Sequence, residues 1–83
     1  MERINSIERL KKECAGDGGD FFLALGNGCI KSSKWIRWFE EDNLFSVYNE
    51  IDGRVQELTE AQIMNEEYTV IGEALKKGVL FKY

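Results

Sequence analysis

Residues 34–58 read KWIRWFEEDNLFSVYNEIDGRVQEL. Core candidates recur at every second position, Ile36 and Trp38 then Phe45 and Val47, and two groups of turn formers, Glu40–Asn43 and Asp52-Gly53, cut the stretch into three short runs. A period of two marks strands buried on one side, and the stops between them mark hairpins. A loop centred on Glu41-Asp42 sets Trp38 opposite Phe45 and Ile36 opposite Val47. A two-residue turn at Asp52-Gly53 sets Val47 opposite Leu58. Upstream, FFLAL and CIKSS flank Gly26-Asn27-Gly28, and an Asn27-Gly28 turn sets Leu25 opposite Ile30 and Leu23 opposite Ser32. The three turns are assigned separately, yet all place Leu23, Leu25, Ile30, Ile36, Trp38, Phe45, Val47 and Leu58 on one face. A slip of one residue would scatter that set. An unbroken strand from Cys29 to Phe39 would be long for a small domain, so a bulge is predicted at Ser32-Ser33.

The flanks of this meander read as helix. Ile4, Ile7, Leu10 and Cys14 form one stripe of an N-terminal amphipathic helix, which the glycine-rich run at 16–20 stops through a left-handed cap. Thr59-Glu60-Ala61-Gln62 matches a capping box that opens a short helix. A second helical segment runs from about Tyr68 to Lys77, with Lys76 and Lys77 in its last turn and Gly78 as its stop. The tail, VLFKY, is apolar enough to dock on the body or add an edge strand. The predicted fold class is α+β: an N-terminal helix, an antiparallel meander of about five strands, and one or two short C-terminal helices packed on one sheet face. The chain of 83 residues is expected to form a single domain spanning 1–83.

Composition narrows the chemistry. The chain has no histidine, so the commonest general base and zinc ligand is missing. Neither a GxxxxGK[ST] loop nor a strand–GxGxxG–helix unit occurs. Cys14 and Cys29 are too few for a structural zinc site and read as reduced thiols, small buried hydrophobes of a cytoplasmic protein. The N-terminal residues lack the apolar core of a secretory leader, and no apolar run is long enough to cross a membrane. Asp17 and Asp20 lie in a glycine-rich connection without the spacing of a calcium loop. Glu40, Glu41 and Asp42 form a solvated hairpin tip that gives little burial to separate carboxyl pKa values. These readings point to a non-enzyme that takes no cofactor or metal.

Alternation also defines a second sheet face, carrying Phe22, Ala24, Cys29, Lys31, Trp35, Arg37, Phe39, Leu44, Ser46, Tyr48, Glu50, Val55 and Glu57. The register pairs Trp35 with Tyr48, Arg37 with Ser46, and Phe39 with Leu44. Trp, Tyr and Arg dominate interaction hot spots, and an aromatic patch of this size marks a contact surface unless the chain itself covers it. The candidate binding residues are therefore Trp35, Arg37, Phe39, Tyr48 and Lys31. Three uses of this face stand open: a second small core under the C-terminal segment or the first helix, a surface for another protein or for a second copy in a homodimer, and a stacking platform for single-stranded nucleic acid. The last is disfavoured by a net charge of -4, by Glu50 and Glu57 on the face, and by Lys34 on the other side. An acidic inhibitor of a nucleic-acid enzyme, using Glu40, Glu41 and Asp42 as phosphate mimics, is a further alternative. The phrases NEIDGRVQELTE and IGEALKKGVLFKY resemble those of small bacterial or phage-type accessory proteins, a likeness that carries no site residues.

Overall fold

The computed structural model describes residues 2–24 and 30–83, with only the backbone described at 30–32. The Asn27-Gly28 turn, Leu25 and Cys29 lie outside the described residues, as do the side chains of Ile30 and Lys31. In chain order the elements are β1 (Glu2–Ile4), α1 (Ile7–Cys14), β2 (Gly19–Ala24), β3 (Ile30–Phe39), β4 (Leu44–Asn49), β5 (Val55–Leu58), α2 (Glu60–Ile63), α3 (Ile71–Lys77) and β6 (Leu80–Lys82). The strands make one antiparallel sheet in the order β1-β6-β2-β3-β4-β5. The fold is α+β, with β2 to β5 as a meander and the two terminal strands added beside β2.

The alternating pattern holds through the meander. Trp38 pairs with Phe45 and Ile36 with Val47, as the turn at 40–43 dictates. Leu23, Ile36, Trp38, Phe45, Val47 and Leu58 all enter the core, where Leu10, Cys14, Ile63, Ile71, Ala74 and Leu75 of the helices meet them. The third turn is longer than a two-residue Asp-Gly hairpin. Asn49 N–H donates to the Arg54 carbonyl at 2.8 Å, Asn49 Oδ1 accepts from Ile51 N–H at 3.0 Å, and Asp52 Oδ1 accepts from Arg54 N–H at 2.9 Å. These side-chain bonds stabilise a wider loop. Leu58 consequently lies opposite Phe45, and Val47 opposite Gln56. A shift of two residues preserves parity, so Leu58 still reaches the core.

Four further expectations are corrected. CIKSS and KWIRWF do not form separate strands, because β3 is a single strand of 10 residues. Its irregularity lies one residue before Ser32-Ser33: the register passes from Leu23↔Ser32 to Ala24↔Ile30 and skips Lys31. Ile4 is buried, but in β1, opposite Leu80. The Ser6 hydroxyl accepts from Arg9 N–H at 3.1 Å and starts α1 only at Ile7. The glycine run does not cap α1, which ends on extended Ala15, while Gly16 and Gly18 take positive φ in the connection to β2.

The C-terminal elements follow the expected signals more closely. The Thr59/Gln62 capping box is complete, with bonds of 2.9 and 3.2 Å. α3 starts three residues later than its periodicity indicates, after Thr69 Oγ1 accepts from Ile71 N–H at 2.7 Å, and Gly78 ends it in the left-handed conformation. Gly72 allows α3 to touch the end of α2, since a Cβ there would lie 2.6 Å from Met64 Cα. β6 is not an edge strand. It fills the slot between β1 and β2, pairing Leu80 with Ile4 on one side and Leu23 on the other.

Candidate functional site: the open face of the sheet

Every helix residue of the core packs against one face of the sheet, leaving the other without a helix among the described residues. Cross-strand register orders the second face into rows. One row runs Asp20, Trp35, Tyr48, Val55, and the next runs Arg37, Ser46, Glu57. Phe39 and Leu44 form the row at the hairpin tip. At the other end, Arg3, Phe81, Phe22 and Ser33 align across β1, β6, β2 and β3.

Four of the five residues singled out from sequence share this face: Trp35, Arg37 and Phe39 are half-buried, and Tyr48 is 38% exposed. The backbone of Lys31 sits at the irregularity of β3, and its side chain lies outside the described residues. The opposite parity of Lys34 sends it to the helix side, opposite Phe21 and Asn49, where burial lowers its pKa. Trp35 is covered in part by the loop before β2, for a Cβ on Gly18 would lie 2.7 Å from Trp35 Cζ2. The glycine, at φ 80°, lets the indole pack this close to the backbone.

Arg37 is held by stacking, its guanidinium carbon 4.5 Å from the Phe39 ring centroid. Its Nε is buried and has no hydrogen-bond partner, and the guanidinium joins no ion pair among the described residues. Arg3 repeats the arrangement over Phe81 at 5.6 Å. Phe22 is only 3% exposed yet lies outside the core cluster. Phe81, stacked at 5.4 Å, and Tyr83, tilted at 4.6 Å, shield it. The tail therefore covers the Phe22 end of this face from within the sheet, while Tyr48 and Val55 stay exposed and Trp35 lies half-buried beside the Gly18 loop.

Acidic groups break the pattern. Desolvation raises the Glu50 carboxyl pKa, and hydrogen bonding to Asp20 and the Asp20 charge raise it further. Glu57 stands beyond Ser46, so both signs of charge occur in the row next to the aromatic one. A cleft of about 520 Å³ opens where the hairpin tip meets the end of α1, lined by Lys11, Lys12, Arg37 and Phe39 on one part and Glu41 and Asp42 on another. Lys11 is already partnered, 4.8 Å above the Trp38 ring, which also lines the cleft, and 3.2 Å from Glu60.

Among the described residues no three of His, Cys, Asp and Glu converge as metal ligands. Cys14 is a buried free thiol whose pKa is pushed far up by desolvation, which suppresses the reactive thiolate. No helix among the described residues is long and apolar enough to cross a membrane. Sequence reasoning missed Arg3, Asp20, Phe81 and Tyr83 on this face. The alternation of buried Leu80 between half-buried Val79 and Phe81 is a strand signal, but a five-residue tail carries it weakly.

No family model, curated protein or solved structure matches the chain.

Proposed function

We propose that this protein is a non-catalytic interaction module that docks another protein on the open sheet face, with Trp35, Arg37, Phe39 and Tyr48 as its anchors. The observation that carries the proposal is the row Trp35–Tyr48–Val55 on a face without a helix among the described residues. Large aromatic side chains beside a stacked, unpaired arginine form the usual centre of a protein interface. Stacking of Arg37 on Phe39 and packing of Trp35 on Gly18 leave those side chains less entropy to lose on binding. The interleaved acids Asp20, Glu50 and Glu57 favour a partner with both signs of charge over a polyanion. The lack of histidine supports a binding role over catalysis, and the Cys14 thiol is compatible with a reducing cytoplasm.

Photo-crosslinking tests this reading. A benzophenone amino acid at position 48 should give discrete adducts with another protein in an extract of the source cell. The same group at Lys76, exposed on α3, should not. Adding Trp35→Ala should weaken the adducts from position 48. Equal patterns from both positions, or none from position 48, would refute the assignment. Tight binding of labelled single-stranded DNA or RNA at low salt would favour the stacking-platform alternative.

A further inference from the structure

The sheet has two free edges, and they are not alike. β1 has three residues, and its Glu2 carboxylate is held by Arg9 at 2.9 Å, giving a short edge with charge beside it. β5 has four residues and pairs with β4 without a register break. Around it stand Ile51, Val55 and Tyr48, which are 71%, 62% and 38% exposed. No proline blunts this edge, because the chain contains none.

The backbone shows which groups this edge presents. Arg54 directs its carbonyl to Asn49 of β4 at 2.8 Å. Hydrogen-bonding direction alternates along an antiparallel strand, so Gln56 and Leu58 also face β4. Val55 and Glu57 then direct their N–H and C=O groups outward, and none of these has a backbone partner outside the sheet among the described residues.

We infer that the β5 edge pairs with β5 of a second copy of this chain, antiparallel, to form one continuous sheet. The outward groups are self-complementary. Val55 of one copy meets Glu57 of the other, Glu57 meets Val55, and the two-fold axis passes through Gln56 normal to the sheet. This register engages all the outward groups of both strands. An isologous contact requires such reciprocity. The paired residues share parity, so both helical layers lie on one side and both open faces on the other. A one-residue shift would set outward groups against inward ones and turn one copy over. The dimer goes beyond the proposed docking role: it leaves the Trp35–Tyr48 row free and places two such rows side by side.

A contact of two short strands is small against the ~800 Å² per partner of a standard interface, so a weak, concentration-dependent dimer is expected. The two Glu57 carboxylates lie diagonally across the axis, and each copy carries a net charge of -4. Association should therefore tighten as salt rises.

Sedimentation equilibrium of the full chain from micromolar to millimolar loading tests the inference. A monomer–dimer equilibrium that tightens with sodium chloride is expected. Glu57→Gln should tighten it by roughly two- to threefold, the effect of removing two like charges several ångströms apart near water. Val55→Pro removes an outward N–H while sparing the β4 ladder, and should weaken the dimer about tenfold or more with the circular dichroism unchanged. A wild type monomeric at millimolar loading overturns the inference. So does a dimer that persists in Val55→Pro, including one dispersed by Trp35→Ala, which would place the contact on the open face instead. If Val55→Pro does not fold, amide exchange in the wild type decides. The Val55 and Glu57 amides should be protected at millimolar and exposed at micromolar loading, and exposure at both overturns it.

Discussion

Leu80→Ala provides a quantitative test of the topology. Leu80 is 0% exposed and lies in the row Ile4–Leu80–Leu23, between two strands that the ladder holds in place. Truncating a buried leucine to alanine costs about 2–5 kcal/mol, depending on how far the surroundings collapse into the cavity. Here both walls are anchored by backbone pairing, which restricts collapse and places the expected loss at about 3–5 kcal/mol. For a domain of this length that is a fall in melting temperature of at least ~12 °C. A tail laid on the surface, or a peripheral strand covered on one side, would lose far less. Urea denaturation followed by tryptophan fluorescence measures the loss, with an unchanged slope confirming that the denatured state is the same. Ile4→Ala supplies the second arm of a double-mutant cycle, in which coupling of about 0.5–3 kcal/mol between the two positions is expected. A loss under about 1 kcal/mol, or strict additivity with Ile4→Ala, would refute the central placement of β6.

Other substitutions examine separate parts of the structure. Gly72→Ala should destabilise by about 1–3 kcal/mol in the same urea assay, because its Cβ would lie 2.6 Å from Met64 Cα, and should leave the open face unaltered. Lys82 Nζ donates to the Glu13 carbonyl at 3.3 Å and to its carboxylate at 3.1 Å, and the latter bond is the main cause of the lowered Glu13 pKa. A lowered folded-state pKa contributes stability above the unfolded value, about 4.3, that is lost as pH falls through the folded one. Lys82→Met should therefore lose stability at neutral pH and converge on the wild type in acid, as urea midpoints against pH will show. The raised Glu50 pKa, caused by desolvation first and then by Asp20, has the opposite sign, a cost that appears as pH rises and Glu50 ionises. Asp20→Asn should raise stability at neutral pH, with the gain vanishing below about 4.3. An Asp20→Asn midpoint equal to or below that of the wild type at neutral pH would contradict the carboxyl pairing.

The candidate site was legible in sequence wherever a local rule sufficed. Trp35, Arg37, Phe39 and Tyr48 were assigned to one face because side chains alternate and the hairpin at 40–43 sets the register. The third turn shows how robust that rule is: Asn49 and Asp52 widened the loop by side-chain hydrogen bonds, yet a shift of two kept Leu58 inside. The N-terminal stripe shows its weakness. Ile4, Ile7 and Leu10 fit a helical period, but the Ser6 cap decided where α1 begins and left Ile4 to β1. Arg3, Phe81 and Tyr83 were missed for a related reason, since segments of three to five residues contain too few alternations to separate strand from coil.

By itself the sequence determined the meander, its parity, the capping box and the left-handed end of α3, since each follows from dihedral preferences and hydrogen bonds within a few residues. Only the tertiary structure decided that β6 lies between β1 and β2, and that one sheet face is left without a helix among the described residues. Those outcomes depend on partners distant in sequence. β6 gains a ladder on both sides only where β1 and β2 are both present, and all three helices share one face because that face holds the aliphatic set able to bury them. The Trp35–Tyr48 row owes its position to alternation, but its exposure to where the helices went.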